Sequence, residues 1–133
     1  MKIQNVILVE DDEDDQNLFS TFFADRTDIR LLPTVGNGLE LIDFLERASS
    51  EDELPGLIIL DQNMPKMNGK QTLKFLKSSE RFSKIPTVVY STYADTNLII
   101  DCKRLGALMV AVKPIDHEGY QKMMNDFLKV FSK

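Results

Sequence analysis

The sequence predicts an α/β domain in which five parallel strands alternate with five helices, and three observations carry that prediction. Five short apolar runs punctuate the chain: "NVILV" (5–9), "IRLLPTV" (29–35), "LIIL" (57–60), "TVVY" (87–90) and "LMVAV" (108–112). Four of them are continuous rather than alternating, as strands covered on both faces of a parallel sheet are. The segments between them are long enough for crossover helices and carry helical spacing.

Each element can be justified in turn. The first run ends in "VEDDEDD" (9–15), which places six consecutive acids, Glu10 to Asp15, after a buried strand. Glu10 and Asp11 lie closest to the strand end. Asp12 is placed to cap the first helix, and Glu13 to Asp15 fall in its first turn, where acids interact favourably with the helix dipole. Leu18, Phe19, Phe22 and Phe23 are that helix's apolar positions. The second run contains Pro33, which has no N–H to donate and so assigns its strand to a sheet edge. Leu39, Ile42 and Leu45 mark the second helix, and "SSEDELPG" (49–56) reads as a loop. Asp61 follows the third run in "LIILDQNMPKMNG" (57–69), ahead of a helix with Leu73 and Leu76. Ser91 and Thr92 follow the fourth run, and the next helix holds Leu98, Ile99, Ile100, Cys102 and Leu105, more apolar residues than one face can bury. Lys113 and Pro114 follow the fifth run, ahead of a helix with Tyr120, Met123, Phe127 and Phe131 that ends near Lys133. An edge position for the second strand suits the sheet order 2-1-3-4-5, so the expected fold class is a flavodoxin-like (βα)5 doubly wound sandwich.

Composition bounds the function. At 133 residues, 43% hydrophobic and 28% charged, the chain is one ordinary domain, 1–133, with enough length to bury a core. The 21 acids outnumber the 16 Lys and Arg residues, yet without the run at 10–15 the remainder is nearly balanced, so the acidity is local. Such a balance supplies neither a basic stripe for nucleic acid nor a cationic amphipathic face for a membrane. No apolar stretch approaches the roughly 18 residues of a membrane span, and "MKIQNV" lacks a signal-peptide core, so a cytoplasmic location is expected. The single cysteine, Cys102, excludes an internal disulfide and suits core filling.

In a sheet of this order ligands bind beyond the carboxyl ends of the strands, where the order reverses between strands one and three. Glu10, Asp11 and Asp61 would converge there. Three carboxylates repel one another, and a bound divalent cation relieves that repulsion. All three offer hard oxygens, with no Cys or His nearby, which selects Mg2+, with calcium or manganese as substitutes in vitro. Asp61, Ser91 and Lys113 then place a nucleophilic carboxylate, a hydroxyl and an ammonium at successive strand ends. That set suits phosphoryl transfer, with the carboxylate attacking phosphorus and the cation and lysine offsetting charge on the equatorial oxygens. His117, at the start of the last helix, reads as a surface residue rather than a ligand.

On "ILVEDD", "LIILDQNMPKMNG", "VVYST" and "VKP", the chain resembles the receiver domains of two-component response regulators over essentially its whole length. The spacing fits as well, with 30 residues from Asp61 to Ser91 and 22 from Ser91 to Lys113. The resemblance implies that Asp61 is the phosphoacceptor, taking a phosphoryl group from a phosphohistidine on a sensor histidine kinase or histidine phosphotransfer protein. It implies Asp11 and Asp61 as direct Mg2+ ligands, Glu10 as a ligand through water and Asn63 as a ligand through its backbone carbonyl. Lys113 would pair with a phosphoryl oxygen, its bond to Pro114 being often cis in the family. Ser91 would move toward the phosphoryl group, and Gly69 would permit the turn that closes the "NMPKMNG" loop. "VEDDEDD", "YST" and "VKPIDHEGY" look most like single-domain receivers paired with phytochrome-type kinases.

Two departures from the family pattern stand out. The aromatic residue that many receivers carry three positions before the lysine is Val110 here, with Tyr90 and Tyr93 the candidates to replace it. Thr92 stands where alanine is common and adds bulk at the mouth of the site; with Asn63 and Tyr93 it would slow water attack on an acyl phosphate. No effector segment follows the last helix, so output is expected through protein–protein binding, to a downstream partner or a second copy, using exposed isoleucines of the fourth helix. Phe19 and Phe23 are ambiguous between core and a kinase-docking surface. Three rival readings differ in one feature each. A flavin carrier needs a hydroxyl- and glycine-rich phosphate loop after strand one, where this chain has acids. A haloacid-dehalogenase-type phosphatase has its nucleophile after strand one. A pseudo-receiver lacks the acids or the lysine.

Overall fold

The computed structural model describes residues 3–129. Five strands, β1 (Gln4–Val9), β2 (Ile29–Leu31), β3 (Leu57–Asp61), β4 (Thr87–Ser91) and β5 (Met109–Val112), alternate with five helices. These are α1 (Glu13–Phe23), α2 (Gly38–Glu46), α3 (Gly69–Ser78), α4 (Thr96–Leu105) and α5 (His117–Leu128), with one 3-10 turn at Glu51–Glu53. Every strand pairing is parallel, in the order β2-β1-β3-β4-β5. This is the flavodoxin-like order expected from the sequence, and it puts the β1–β3 reversal at the strand ends carrying Glu10 and Asp61.

β2 is shorter than its apolar run. Leu32 N–H still donates to the Val6 carbonyl at 2.8 Å, but Pro33 has no N–H to give, and the chain returns to the sheet only at Val35, which bridges Val9. β3 and β4 are buried along their whole length, whereas β5 is half-exposed with Val112 facing solvent, because it forms the other edge.

Each helix begins at an Asp or Asn whose side chain accepts an N–H of the first turn: Asp12, Asn37, Asn68, Asp95 and Asp116. Such caps satisfy donors the helix itself leaves free. Asn68 and Gln71 complete a reciprocal capping box. α4 ends on Gly106, whose φ of 108° is left-handed and closes the helix without a Cβ penalty.

The sheet separates two cores. On one face α1 and α5 cover Val6, Leu8, Ile59, Val88 and Tyr90 with Phe19, Phe23, Tyr120, Met124 and Phe127. Phe19 and Phe23 are thus core residues and not a docking surface, while Leu18 points outward. On the other face Leu41, Leu45, Leu73, Leu76 and Cys102 pack on Ile7, Val9, Ile58, Leu60 and Val89. In α2 the buried pair is Leu41 and Leu45, and Leu39 is half-exposed. Cys102 fills core, as expected. α5 ends at Leu128, short of the end near Lys133 expected from the sequence; Phe131 and Lys133 lie outside the described residues. No helix among the described residues is long and apolar enough to cross a membrane.

Candidate active site

The five helix caps place their helix starts on the rim where the strands end, and the polar residues predicted from strand ends meet there. Glu10, Asp11 and Asp61 each bring a carboxylate oxygen within 4.8 Å of the others. Glu10 and Asp61 are buried and Asp11 is exposed, so the group opens to solvent on one side. Lys113 reaches in from the end of β5, with Nζ 3.0 Å from Glu10 Oε1 and 3.2 Å from Asp61 Oδ1. Ser91 is buried at the end of β4, where its Oγ accepts from Asn63 Nδ2 and from the Tyr93 N–H, both at 3.3 Å. Asn63 also donates its backbone N–H to Asp61 Oδ1 at 3.2 Å. Its amide and N–H therefore face the site, which makes it a contributor beyond the carbonyl role expected of it. Thr92 is exposed beside Ser91, at the mouth of the site.

Burial shapes the charges. Removal from water, reinforced by the hydrogen bond and the charge of Glu10, pushes the Asp61 carboxyl up to about 7, against the opposing pull of Lys113. Burial disfavours the Lys113 charge, but the Glu10 hydrogen bond and the negative charges of Asp61 and Glu10 outweigh it and raise that ammonium above its usual value. The site is thus a pocket of excess negative charge that one ammonium offsets in part. Three oxygen donors of this kind, two buried and one open, fit a hard divalent cation.

The loop after β3 corrects one expectation. The left-handed residue of the turn is Lys66, at φ 66°, and not Gly69. Gly69 is needed for closeness: a Cβ there would lie 2.7 Å from the Asp61 carbonyl oxygen and 2.9 Å from Gln62 Cα. The loop is tied back by Gly69 N–H to the Gln62 carbonyl at 3.1 Å, and this ties the start of α3 to Asp61. A second correction concerns Lys113–Pro114, which is trans, the isomer that an X–Pro bond favours by about 0.5–1 kcal/mol.

Two residues escaped sequence reasoning. Asp15, in the first turn of α1, donates no more than a carboxylate to the helix dipole in that reading, yet its Oδ2 lies 3.1 Å from Lys113 Nζ. No local signal marked it, because its partner lies 98 positions along the chain. Tyr90 was a candidate to replace the aromatic missing at Val110, but the two face opposite sides of the sheet. Tyr90 instead donates its phenol to Glu10 Oε1 at 2.6 Å. Burial, together with the Glu10 charge, raises that phenol far above its usual range and keeps it protonated as a donor. Tyr93 is exposed, and so is His117, as expected of it, though its ring stands 5.1 Å from that of Phe22.

Comparison with known proteins agrees with this architecture. Residues 6–125 match the family model of the response regulator receiver domain. A protein-glutamate methylesterase/protein-glutamine glutaminase from Bacillus licheniformis is 32% identical over 111 residues, covering 82% of this chain but only 29% of that protein, so this chain spans under a third of that curated relative. The structure of the Mn(2+)-bound form of response regulator Rcp1 matches with a TM-score of 0.79 at 26% identity, over 96% of this chain and 94% of that one. The phosphorylated cyanobacterial phytochrome response regulator RcpA matches with a TM-score of 0.80 at 26% identity, over 96% and 92% of the two chains. A family match across most of the chain, on this sheet order, shows that the chain belongs to the response regulator receiver domains of two-component signalling.

Proposed function

We propose that this chain is a phosphorylation-controlled signalling switch in which Asp61 accepts a phosphoryl group from a phosphohistidine on a sensor histidine kinase or histidine phosphotransfer protein. The observation that carries the reading is the convergence of Asp61 with Glu10 and Asp11 within 4.8 Å, with the Lys113 ammonium 3.2 Å from the Asp61 carboxylate. An Asp61 oxygen attacks phosphorus as the phosphorus–nitrogen bond breaks, the electron pair returns to the imidazole, and that nitrogen takes up a proton. Lys113 follows the charge from the carboxylate to a phosphoryl oxygen, and Ser91 donates its hydroxyl to another. Glu10, Asp11, Asp61 and Asn63 would hold Mg2+, which supplies charge neutralisation on the transferring group. Thr92 narrows the mouth and slows water attack on the acyl phosphate.

In this reading residues 1–133 are one receiver domain that acts in the cytoplasm, and its output is protein–protein binding rather than turnover of a substrate. The phosphorylated state of RcpA and the Mn2+ in Rcp1 support the chemistry by similarity. The test is intact mass after incubation with Mg2+ and acetyl phosphate or phosphoramidate, run beside Asp61→Asn. A single Mg2+-dependent phosphoryl adduct, labile to base and absent in the variant, is expected. An adduct that persists in Asp61→Asn, or none in the wild type, overturns the reading.

A further inference from the structure

Tyr90 touches two charges of the candidate site at once. Its phenol donates to Glu10 Oε1 at 2.6 Å, and its ring centroid lies 5.0 Å from Lys113 Nζ. The side chain is fully buried on the α1/α5 face, where the Phe19 ring stands 6.4 Å away at a steep angle. Glu10 is buried just as completely, and its carboxylate is held from three directions. Oε1 takes the Tyr90 phenol and the Lys113 ammonium, and Oε2 takes the Asp12 N–H at 3.2 Å. A carboxylate has about four acceptor directions, so roughly one remains on Glu10, shared with protonated Asp61 and released when Asp61 ionises. One free direction suits a bond from a water of a hydrated cation and leaves too little for a two-oxygen grip on the cation itself.

A phenylalanine would fill the same core volume against Phe19 and keep the ring under Lys113. What tyrosine adds is the hydroxyl, and that hydroxyl reaches a buried acid of the candidate cation site. We infer that Tyr90 is a positioning residue for this site: its phenol fixes the Glu10 carboxylate and thereby sets how tightly the site holds a hydrated divalent cation. The inference rests on the reading of the site given above and deepens it. It also gives the aromatic at position 90 a role different from a swinging ring, because a phenol tied to a buried carboxylate is an anchored floor.

The experiment measures Mn2+ binding by the electron paramagnetic resonance of free Mn2+, with Mg2+ as competitor, in the wild type, Tyr90→Phe, Glu10→Gln and the double variant. Loss of an outer partner of a metal ligand costs roughly 10–100-fold in affinity, and about 10-fold is expected for Tyr90→Phe. In the Glu10→Gln background the same substitution changes affinity less than about twofold, since the two act through one bond. A change in core packing alone would weaken binding equally in both backgrounds. A second measurement serves if Tyr90→Phe folds poorly. Mg2+ added to the wild type perturbs the near-ultraviolet tyrosine absorption, and the perturbation survives in Tyr93→Phe and in Tyr120→Phe.

Unchanged Mn2+ affinity in Tyr90→Phe overturns the inference, as does an equal loss in both backgrounds, or a tyrosine signal that disappears with Tyr93 or Tyr120. Phosphorylation of the wild type alongside such a result leaves the proposed function standing and removes only the role of Tyr90. A Tyr90 effect on cation binding in a protein that takes no phosphoryl group removes the proposed function and keeps the role. A wild type that binds no divalent cation removes both.

Discussion

The α1/α5 face of the sheet and the α4 end of the opposite face are built differently, although that opposite face is closed under α2 and α3 by Leu41, Leu45, Leu73 and Leu76. Under α1 and α5, Phe19, Tyr90, Tyr120 and Phe127 are almost wholly buried, with Phe19 4.5 Å from Phe23 and 6.1 Å from Tyr120, ring to ring. Under α4, Cys102 is the buried member, Leu98, Leu105 and Val110 are half-buried, and Ile100 and Leu108 face solvent. The site straddles this boundary. Its acids and lysine are fastened to the first face, by Tyr90 to Glu10 and by Asp15 to Lys113, whereas Ser91 and Thr92 open into the segment that leads to α4. A change of charge at Asp61 therefore meets a stiff wall on one side and a lightly packed helix on the other, and the lightly packed side costs less to move.

The sharpest way to break that contrast is by cavity. Phe19→Ala should cost about 3–5 kcal/mol, as large aromatic truncations in closed cores do. Leu98→Ala, on the half-buried α4 face, should cost about 1 kcal/mol. Urea unfolding of the two variants measures both, and equal losses would mean that the α4 end is packed as well as the α1/α5 face.

A second test uses the charge at the boundary. The folded Asp61 carboxyl is raised from 3.8 to about 7, so the folded state holds its proton more tightly than the unfolded chain does. By linkage the stabilisation this confers is complete below about pH 3.8 and is lost as pH rises through about 7 in cation-free protein. Saturating Mg2+ binds the ionised site and stabilises it by mass action, which flattens the fall. Asp61→Asn should remove most of this pH dependence. Thermal unfolding at a series of pH values, with and without Mg2+, measures it, and a cation-free stability that climbs between pH 5 and 7 would contradict the placement of Asp61 in a desolvated acid pair.

Much of this was legible in the sequence, for local reasons. Strands declared themselves because buried parallel strands are continuous apolar runs, and Glu10, Asp11, Asp61, Ser91 and Lys113 stood out because each follows such a run directly. What the sequence hid depends on rotation and reach. Phe19 and Phe23 form one possible stripe of α1 and Leu18 and Phe22 another, and only the seating of the helix on the sheet chooses between them. The Asp15–Lys113 and Glu10–Tyr90 contacts join residues 98 and 80 positions apart, so no local pattern announces them. The caps Asn37, Asn68, Asp95 and Asp116 could have been read from residue type, but Asx residues are as common in turns as at helix starts.

Asp15 offers a smaller test of the fastened side. Its carboxylate is partly exposed and shares Lys113 with two buried acids, so Asp15→Asn should cost about 1 kcal/mol, below the roughly 1.5–3 kcal/mol of a charged hydrogen bond in full burial. The loss should shrink at high salt, which screens the exposed partner more than the buried ones. A loss that salt does not change would place the effect in packing rather than in charge.

The smallest effect is expected where the second face meets solvent. Ile100 is 42% exposed on α4, and Leu108, just before β5, is 44% exposed. Ile100→Ser removes apolar surface that water already reaches, so unfolding free energy should stay within about 0.5 kcal/mol of the wild type. That result would leave α4 as a helix whose outer face does little for the stability of this chain. Sedimentation of the phosphorylated protein then separates two uses for the surface. A self-association that Ile100→Ser weakens would assign the face to a second copy, and unchanged sedimentation would assign output to other surfaces or to a different partner. A stability loss of several kcal/mol would show instead that Ile100 belongs to the core, and the contrast between the two faces would fail at the helix on which it depends most.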